Sequence, residues 1–349
     1  MTHHLFKQKG GPPLFPFRFV LDRFQKADAR GPTLTPNVRA KWLSRLCPSD
    51  LKIAFAPNAG EVPMYDPDQV KLVSKDEPGW WNHYFLIRNK LENNKIGFSW
   101  GPNIDLKHPI HKTIPLVANS VYHKNKILEA WNYPTDKIHV IPNMVDPELF
   151  FPKKRKKPIT IGWIGYDVDR RRIKGVEVIP YLARKFPDVQ FEMVHAVKPR
   201  YLKEWLPKEL PNLKMYYEVP HYKMPEIIRK WYVLISGSKS ETGGTHIKEA
   251  MACGVPVIAS AVGAIPEIAI SQMLLPEMTL NNSLGSKYPS NWSQESLERY
   301  ASALDTVLSS HKLHESLSKS AIIESKNSDP TIISTKWFEF MYMCRNHSR

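Results

Sequence analysis

From residue 159 onward the chain alternates short apolar runs with helical stretches, a rhythm that few folds accommodate. Ile159 to Ile164, Val189 to Val194, Lys214 to Glu218, Trp231 to Ile235 and Val255 to Ala259 read as strands. Gly175 to Phe186, Met224 to Lys230 and Thr245 to Cys253 read as helices, the last ended by Gly254. Strands that are apolar at most positions must be covered on both faces, and the intervening helices supply that cover. The pattern predicts a parallel, doubly wound α/β sheet. Three helical stretches close the chain: Ser293 to Ser310, His311 to Glu324 and Thr331 to Cys344.

The first half shows the same rhythm more weakly. Lys9-Gly10-Gly11-Pro12-Pro13 is a loop signal, and Phe17 to Phe24 is amphipathic. A short helix is expected over 37–47 and a buried strand over Lys52 to Ala56. Trp80 to Lys90 reads as a helix; Lys95 to Trp100, Ile114 to Ala118 and Ile138 to Ile141 read as strands. Asn119-Ser120 is expected to cap a helix reaching about Trp131. Residues 147–158 read as a linker, with the basic run Lys153 to Lys157 a solvated hinge between prolines. The expected division is therefore a first α/β domain over 1–150, a second over 151–330, and a final helix over 331–349. Two such sheets facing each other would bind a ligand between their strand ends.

With 349 residues, both domains are long enough to bury a core. Three cysteines, Cys47, Cys253 and Cys344, are too few and too scattered for a disulfide scaffold or a metal site. The polar N-terminus MTHHLFKQKG is not expected to be a signal peptide, and no run approaches the roughly 18 apolar residues of a spanning helix. A reducing, cytoplasmic setting is the expectation. Net charge is +15, from 49 Lys+Arg against 34 Asp+Glu. The excess lies in the first 270 residues, which favours anionic partners: nucleotide phosphates, an acidic membrane surface or nucleic acid.

The stretch Ser236 to Glu267 carries the chemistry. Glu241 and Glu249 are separated by seven residues, with Gly243, Gly244 and the start of a helix at Thr245 between them. Glycines let backbone approach a ligand closely. The helix start offers unpaired N–H groups and a positive dipole end to a phosphate. Carboxylates accept hydrogen bonds from sugar or ribose hydroxyls. One glutamate can hold a sugar and the other a ribose, with a diphosphate between.

Glu-x7-Glu with EAMACGVPVIAS and VGAIPE resembles the retaining glycosyltransferases of family 4, which have the GT-B fold. Ile161-Gly162-Trp163-Ile164-Gly165 with Lys174-Gly175 is similar to the opening of that family's donor domain. Val117-Ala118-Asn119-Ser120 and Val140-Ile141-Pro142-Asn143-Met144-Val145-Asp146 are similar to the end of its first domain. Trp337 resembles the aromatic residue of the last helix, which in this fold crosses back to the first domain. The resemblance implies two Rossmann-like domains across a cleft and metal-independent sugar transfer from a nucleotide-diphosphate donor with retention. It gives Glu241 the donor sugar, the backbone of Gly243, Gly244 and Thr245 the sugar and phosphate, Glu249 the ribose and Lys174 the diphosphate. Arg170, Arg171 and Arg172 are alternative partners of Lys174. Tyr222 lies where a base would stack or where an aromatic would simply pack. Gly10, Gly11 and Asn103 stand for the acceptor side. The family glycine after Val194 is His195 here.

No cofactor or metal is expected beyond the donor substrate. The acceptor is a glycan, a lipid-linked sugar or a small molecule, and the basic first domain allows contact with an anionic membrane. Three alternatives stand beside this reading: a nucleic-acid-binding protein with a degenerate sugar site, a transferase with DNA as acceptor, and a sugar-nucleotide epimerase. The glutamate spacing argues against the last, and no nucleic-acid-binding motif supports the first.

Overall fold

The computed structural model describes residues 34–49, 115–154, 158–165, 173–196, 210–280 and 291–346, with short strands at 18–22, 52–56, 71–72, 80–82 and 97–98. The best-defined sheet holds six parallel strands: β8 (Thr160–Gly165), β9 (Gln190–His195), β10 (Leu213–Tyr217), β11 (Val233–Ser236), β12 (Val257–Ser260) and β13 (Met273–Leu275). Their order is β10-β9-β8-β11-β12-β13, the doubly wound arrangement that leaves a topological switch point between β8 and β11.

Both faces of this sheet are covered, as the apolar runs require. On one face Ile161, Trp163, Phe191, Met193, Val233, Ile235 and Ile258 pack with α3 (Val178–Lys185) and α7 (Gln294–Ser309). On the other, Val194, Leu234, Val257 and Ala259 pack with α4 (Met224–Ile228) and α5 (Thr245–Ala252), and Ala321 of α8 (His311–Ser325) joins them. Successive strand residues point to opposite faces, so each strand feeds both cores. Burial on this scale is the main stabilising term, at about 25 cal/mol per Å² of apolar surface removed from water.

In the first half, β1 (Arg18–Asp22), β2 (Lys52–Ala56), β3 (Lys71–Leu72) and β4 (Trp80–Asn82) form a parallel sheet in the order β3-β2-β1-β4. A further parallel set, β5 (Gly97–Phe98), β6 (Leu116–Ala118) and β7 (Ile138–Val140), has β6 at its centre. Helix α1 (Leu34–Leu46) and helix α2 (Val121–Trp131) belong to this half. Ser120 caps α2 as expected, its side chain accepting the His123 N–H at 3.0 Å.

Several boundaries differ from expectation. Trp80–Asn82 is a strand, not the start of a helix, because it pairs in parallel with Phe19–Leu21. The aromatic pair suits a pleated strand, and tertiary pairing decides between the two forms. The amphipathic Phe17 to Phe24 stretch supplies the strand Arg18–Asp22. Helix α3 begins at Val178, three residues later than predicted. Gly175 instead forms a turn at φ +61, its carbonyl accepting the Val178 N–H at 3.1 Å. Trp231 belongs to the turn that ends α4, donating its backbone N–H to Ile228 O at 2.9 Å. Lys71–Leu72 and Met273–Leu275 were not anticipated, and Ile265–Ile268 forms the one-turn helix α6.

The last helix, α9 (Pro330–Asn346), packs against α1. Fully buried Trp337 lies under the Arg39 guanidinium, 4.5 Å from the ring centroid. Phe340 meets His139 of β7 at 5.1 Å. The chain thus ends on the half where it began.

Candidate active site

The two loops that leave the switch point converge. The loop after β8 ends at Lys174 and the loop after β11 carries Glu241, and the Lys174 ammonium is hydrogen-bonded to Glu241 Oε2. Glu241 Oε1 also accepts the Gly244 N–H at 3.2 Å. Burial pushes the Glu241 carboxyl up, but Lys174, His246 and the Gly244 N–H outweigh it and hold it at about 2. The Glu241 carboxylate is therefore ionised across the neutral range.

Two glycines make this approach possible. Gly175 sits at φ +61, and a Cβ there would lie 2.0 Å from the carbonyl oxygen of Gly237. The chain after Lys174 thereby rests directly on the loop after β11. Gly244 at φ +51 occupies the N-cap of α5 and turns the chain into the helix. Gly243, Gly244 and Thr245 follow Glu241 at the helix start, as the sequence placed them. Thr245 Oγ1 accepts from Asn143 Nδ2 at 3.2 Å, so this loop meets the segment after β7.

Glu249 lies one turn into α5, buried, and its Oε1 is 2.7 Å from His221 Nε2. It does not meet Lys174 or Glu241 by any hydrogen bond among the described residues. His221 opens the short 3-10 turn His221–Lys223 after β10, and Tyr222 beside it is half exposed. Arg170, Arg171 and Arg172 lie outside the described residues, as do Gly10, Gly11 and Asn103. His195 ends β9 with its ring 5.1 Å from Trp163 and stacked at 5.6 Å on Tyr217. Burial lowers it to about 4, so it is neutral.

The sequence reading missed four groups. His246, in the first turn of α5, is lowered to about 4 by burial and by Lys174, and its Nε2 lies 3.4 Å from Ser236 Oγ. His221 holds Glu249. Lys248 is 5% exposed, and burial lowers it to about 8 against the pull of Glu241 and Glu267. Glu267, in the one-turn helix α6, accepts the Val121 and Tyr122 N–H groups at 2.8 and 2.7 Å. Only the type and helical phase of Lys248 were available to suggest any of these.

The profile described as glycosyl transferases group 1 matches residues 148–322, half of the chain. A component of phosphatidylinositol N-acetylglucosaminyltransferase from Arabidopsis thaliana is 29% identical over 160 residues, covering 44% of this chain and 35% of that protein. D-inositol 3-phosphate glycosyltransferase from Paenarthrobacter aurescens is 26% identical over 174 residues, covering 43% and 41%. The matched stretch thus spans well under half the length of either relative. Sucrose-phosphate synthase from Thermosynechococcus elongatus superposes with a TM-score of 0.71 at 15% identity, over 95% of this chain and 100% of that one. The architecture is GT-B, and the chain belongs to the glycosyl transferases group 1 family.

Proposed function

We propose that the protein moves a sugar from a nucleotide-diphosphate donor to a hydroxyl acceptor with retention of anomeric configuration. The observation that carries this reading is the meeting of Lys174 and Glu241 at the switch point, beside the N-terminus of α5. Ligands of open parallel sheets bind in that crevice.

In this reading Lys174 and the helix start take the charge of the departing diphosphate, joined by one of Arg170, Arg171 and Arg172. Lys174 and the helix start are fixed before the reaction, which is what transition-state stabilisation requires. Glu241 accepts hydrogen bonds from the sugar hydroxyls while Lys174 keeps it ionised. Glu249, steadied by His221, accepts from the ribose, and Tyr222 lies beside the base. The acceptor oxygen bonds the anomeric carbon on the face from which the diphosphate leaves. Its proton passes to the departing phosphate oxygen, so no protein nucleophile and no metal is needed. Residues 1–150 form the acceptor side, residues 151–330 the donor side, and the last helix ties the two.

The named relatives direct the first choice of substrates. N-acetylglucosamine is the sugar, and phosphatidylinositol or inositol 3-phosphate the acceptor, in their names. Among the described residues no helix is long and apolar enough to cross a membrane. A lipid-linked acceptor would then be reached from the membrane surface, where the basic charge helps.

The test is turnover of UDP-, GDP-, ADP- and TDP-sugars, followed as released nucleoside diphosphate. Acceptors would be glycans, phosphatidylinositol vesicles, inositol phosphates and DNA. Consumption of one donor by the wild type and none by Glu241→Ala is expected. Failure of every donor with every acceptor would overturn the reading.

A further inference from the structure

Helix α2 and helix α6 meet through the Glu267 side chain, although they lie on different sheets. Glu267 Oε2 accepts the Val121 N–H at 2.8 Å and Oε1 accepts the Tyr122 N–H at 2.7 Å. These are two of the four N–H groups that any helix leaves without an internal partner. A third, on His123, is taken by Ser120 Oγ at 3.0 Å. The local cap therefore serves one donor, and a carboxylate 145 positions downstream serves two more, with its charge at the positive end of the helix dipole.

Glu267 is also tied to the candidate site. Ala264, just before α6, donates its N–H to the carbonyl of Glu241 at 2.8 Å. The carboxylate that grips α2 thus sits one turn beyond a backbone bonded to Glu241. Any movement of α2 away from the six-stranded sheet must break both Glu267 hydrogen bonds.

We propose that Glu267 is a positioning residue that clasps the two halves of the molecule across the cleft, seated on the α2 N-terminus when the cleft is closed and released from it when the cleft opens. The clasp sets how the Glu241 loop faces the first half. It rests on the functional reading above for its effect on catalysis, but not for its effect on shape.

The experiment compares wild type, Glu267→Ala and Glu267→Gln by small-angle X-ray scattering without ligand, then by steady-state kinetics. Glu267→Ala is expected to expand the radius of gyration with helix content unchanged by circular dichroism. It should raise KM for the nucleotide sugar roughly three- to thirtyfold, the range a lost helix-end charge supports, with a smaller change in kcat. Glu267→Gln keeps one capping oxygen and should fall between the two. It also serves as the test variant if Glu267→Ala does not fold. A helix cap with only a local role would lower the thermal midpoint and leave scattering and KM unchanged, which would overturn the proposal. If the wild type consumes no nucleotide sugar, the functional reading fails while the scattering series still decides the clasp.

Discussion

His221 Nε2 lies 2.7 Å from Glu249 Oε1, and the two side chains are buried together beside Phe150, whose ring is 5.1 Å from that of His221. A carboxylate one turn inside a buried helix needs a donor, and the histidine supplies it. Burial alone would lower the imidazole, but the charge and hydrogen bond of Glu249, with Asp146, reverse the direction and raise it. A raised folded-state pKa stabilises fully below the unfolded histidine value and is lost as pH climbs through the folded one. The thermal midpoint of wild type should therefore fall relative to His221→Gln as pH rises through that window. His221→Ala should cost about 3 kcal/mol at neutral pH by leaving Glu249 buried and unpaired, measured by denaturant unfolding. Equal pH profiles for the two proteins would show that the His221 pKa is the same in the folded and unfolded states, and that Glu249 does not raise it.

Lys174 and Glu241 are predicted to act as a coupled unit. Glu241→Gln removes the charge but keeps the shape, and Lys174→Met removes the partner. Each single change should cost about 3 kcal/mol of stability or more, and the double change less than the sum of the two. The Glu241 carboxyl is depressed, so its contribution is present above the ordinary glutamate range and disappears as pH falls toward about 2. Acid unfolding of Glu241→Gln should accordingly begin at higher stability loss near neutral pH and show a shallower fall below pH 4. In turnover, both single variants should lose activity by at least about a hundredfold, the scale of one preorganised electrostatic contact.

Five strands of the six-stranded sheet were legible because their signal is local and repeated. Val233–Ser236 and Val257–Ser260 are buried at every position, and such runs have few other uses. The Glu241 loop and the helix after it were legible for the same reason: carboxylates, glycines and helix start lie within nine residues. The first half was harder. Its strands include pairs as short as Lys71–Leu72, and Trp80–Asn82 is a strand only because Phe19–Leu21 lies beside it. The contacts of His221 with Glu249 and of Glu267 with α2 were out of reach for a related reason. They join residues 28 and 146 positions apart, and nothing in the spacing of single residues specifies a partner at that distance.

Gly175 is predicted to be intolerant of any side chain. At φ +61 an L residue is already strained by roughly 1 kcal/mol or more. A Cβ would also meet the Gly237 carbonyl at 2.0 Å, a contact with backbone that cannot swing aside. Gly175→Ala must therefore push Lys174 and the Glu241 loop apart. The expected result is weaker nucleoside-diphosphate binding in calorimetry, with the far-ultraviolet circular dichroism unchanged. Retained affinity would mean that the two loops separate without consequence for the anion.

Trp337 provides the last test, because it separates the role of the final helix from that of the six-stranded sheet. The indole is fully buried against α1, with the Arg39 guanidinium 4.5 Å above its centroid. Burial brings Arg39 down to about 9, a sign of how little water reaches this seam. Trp337→Ala would remove the largest side chain of the seam and leave the arginine without its aromatic face, at a cost of about 3–5 kcal/mol. Trp337→Phe keeps a ring and should lose less. Because α9 contacts the first half and the core of the second sheet lies elsewhere, the loss should appear as an early unfolding step in differential scanning calorimetry. The later transition should stay near its wild-type position. A single transition lowered as a whole would show instead that the two halves unfold together, and that the helix stabilises both.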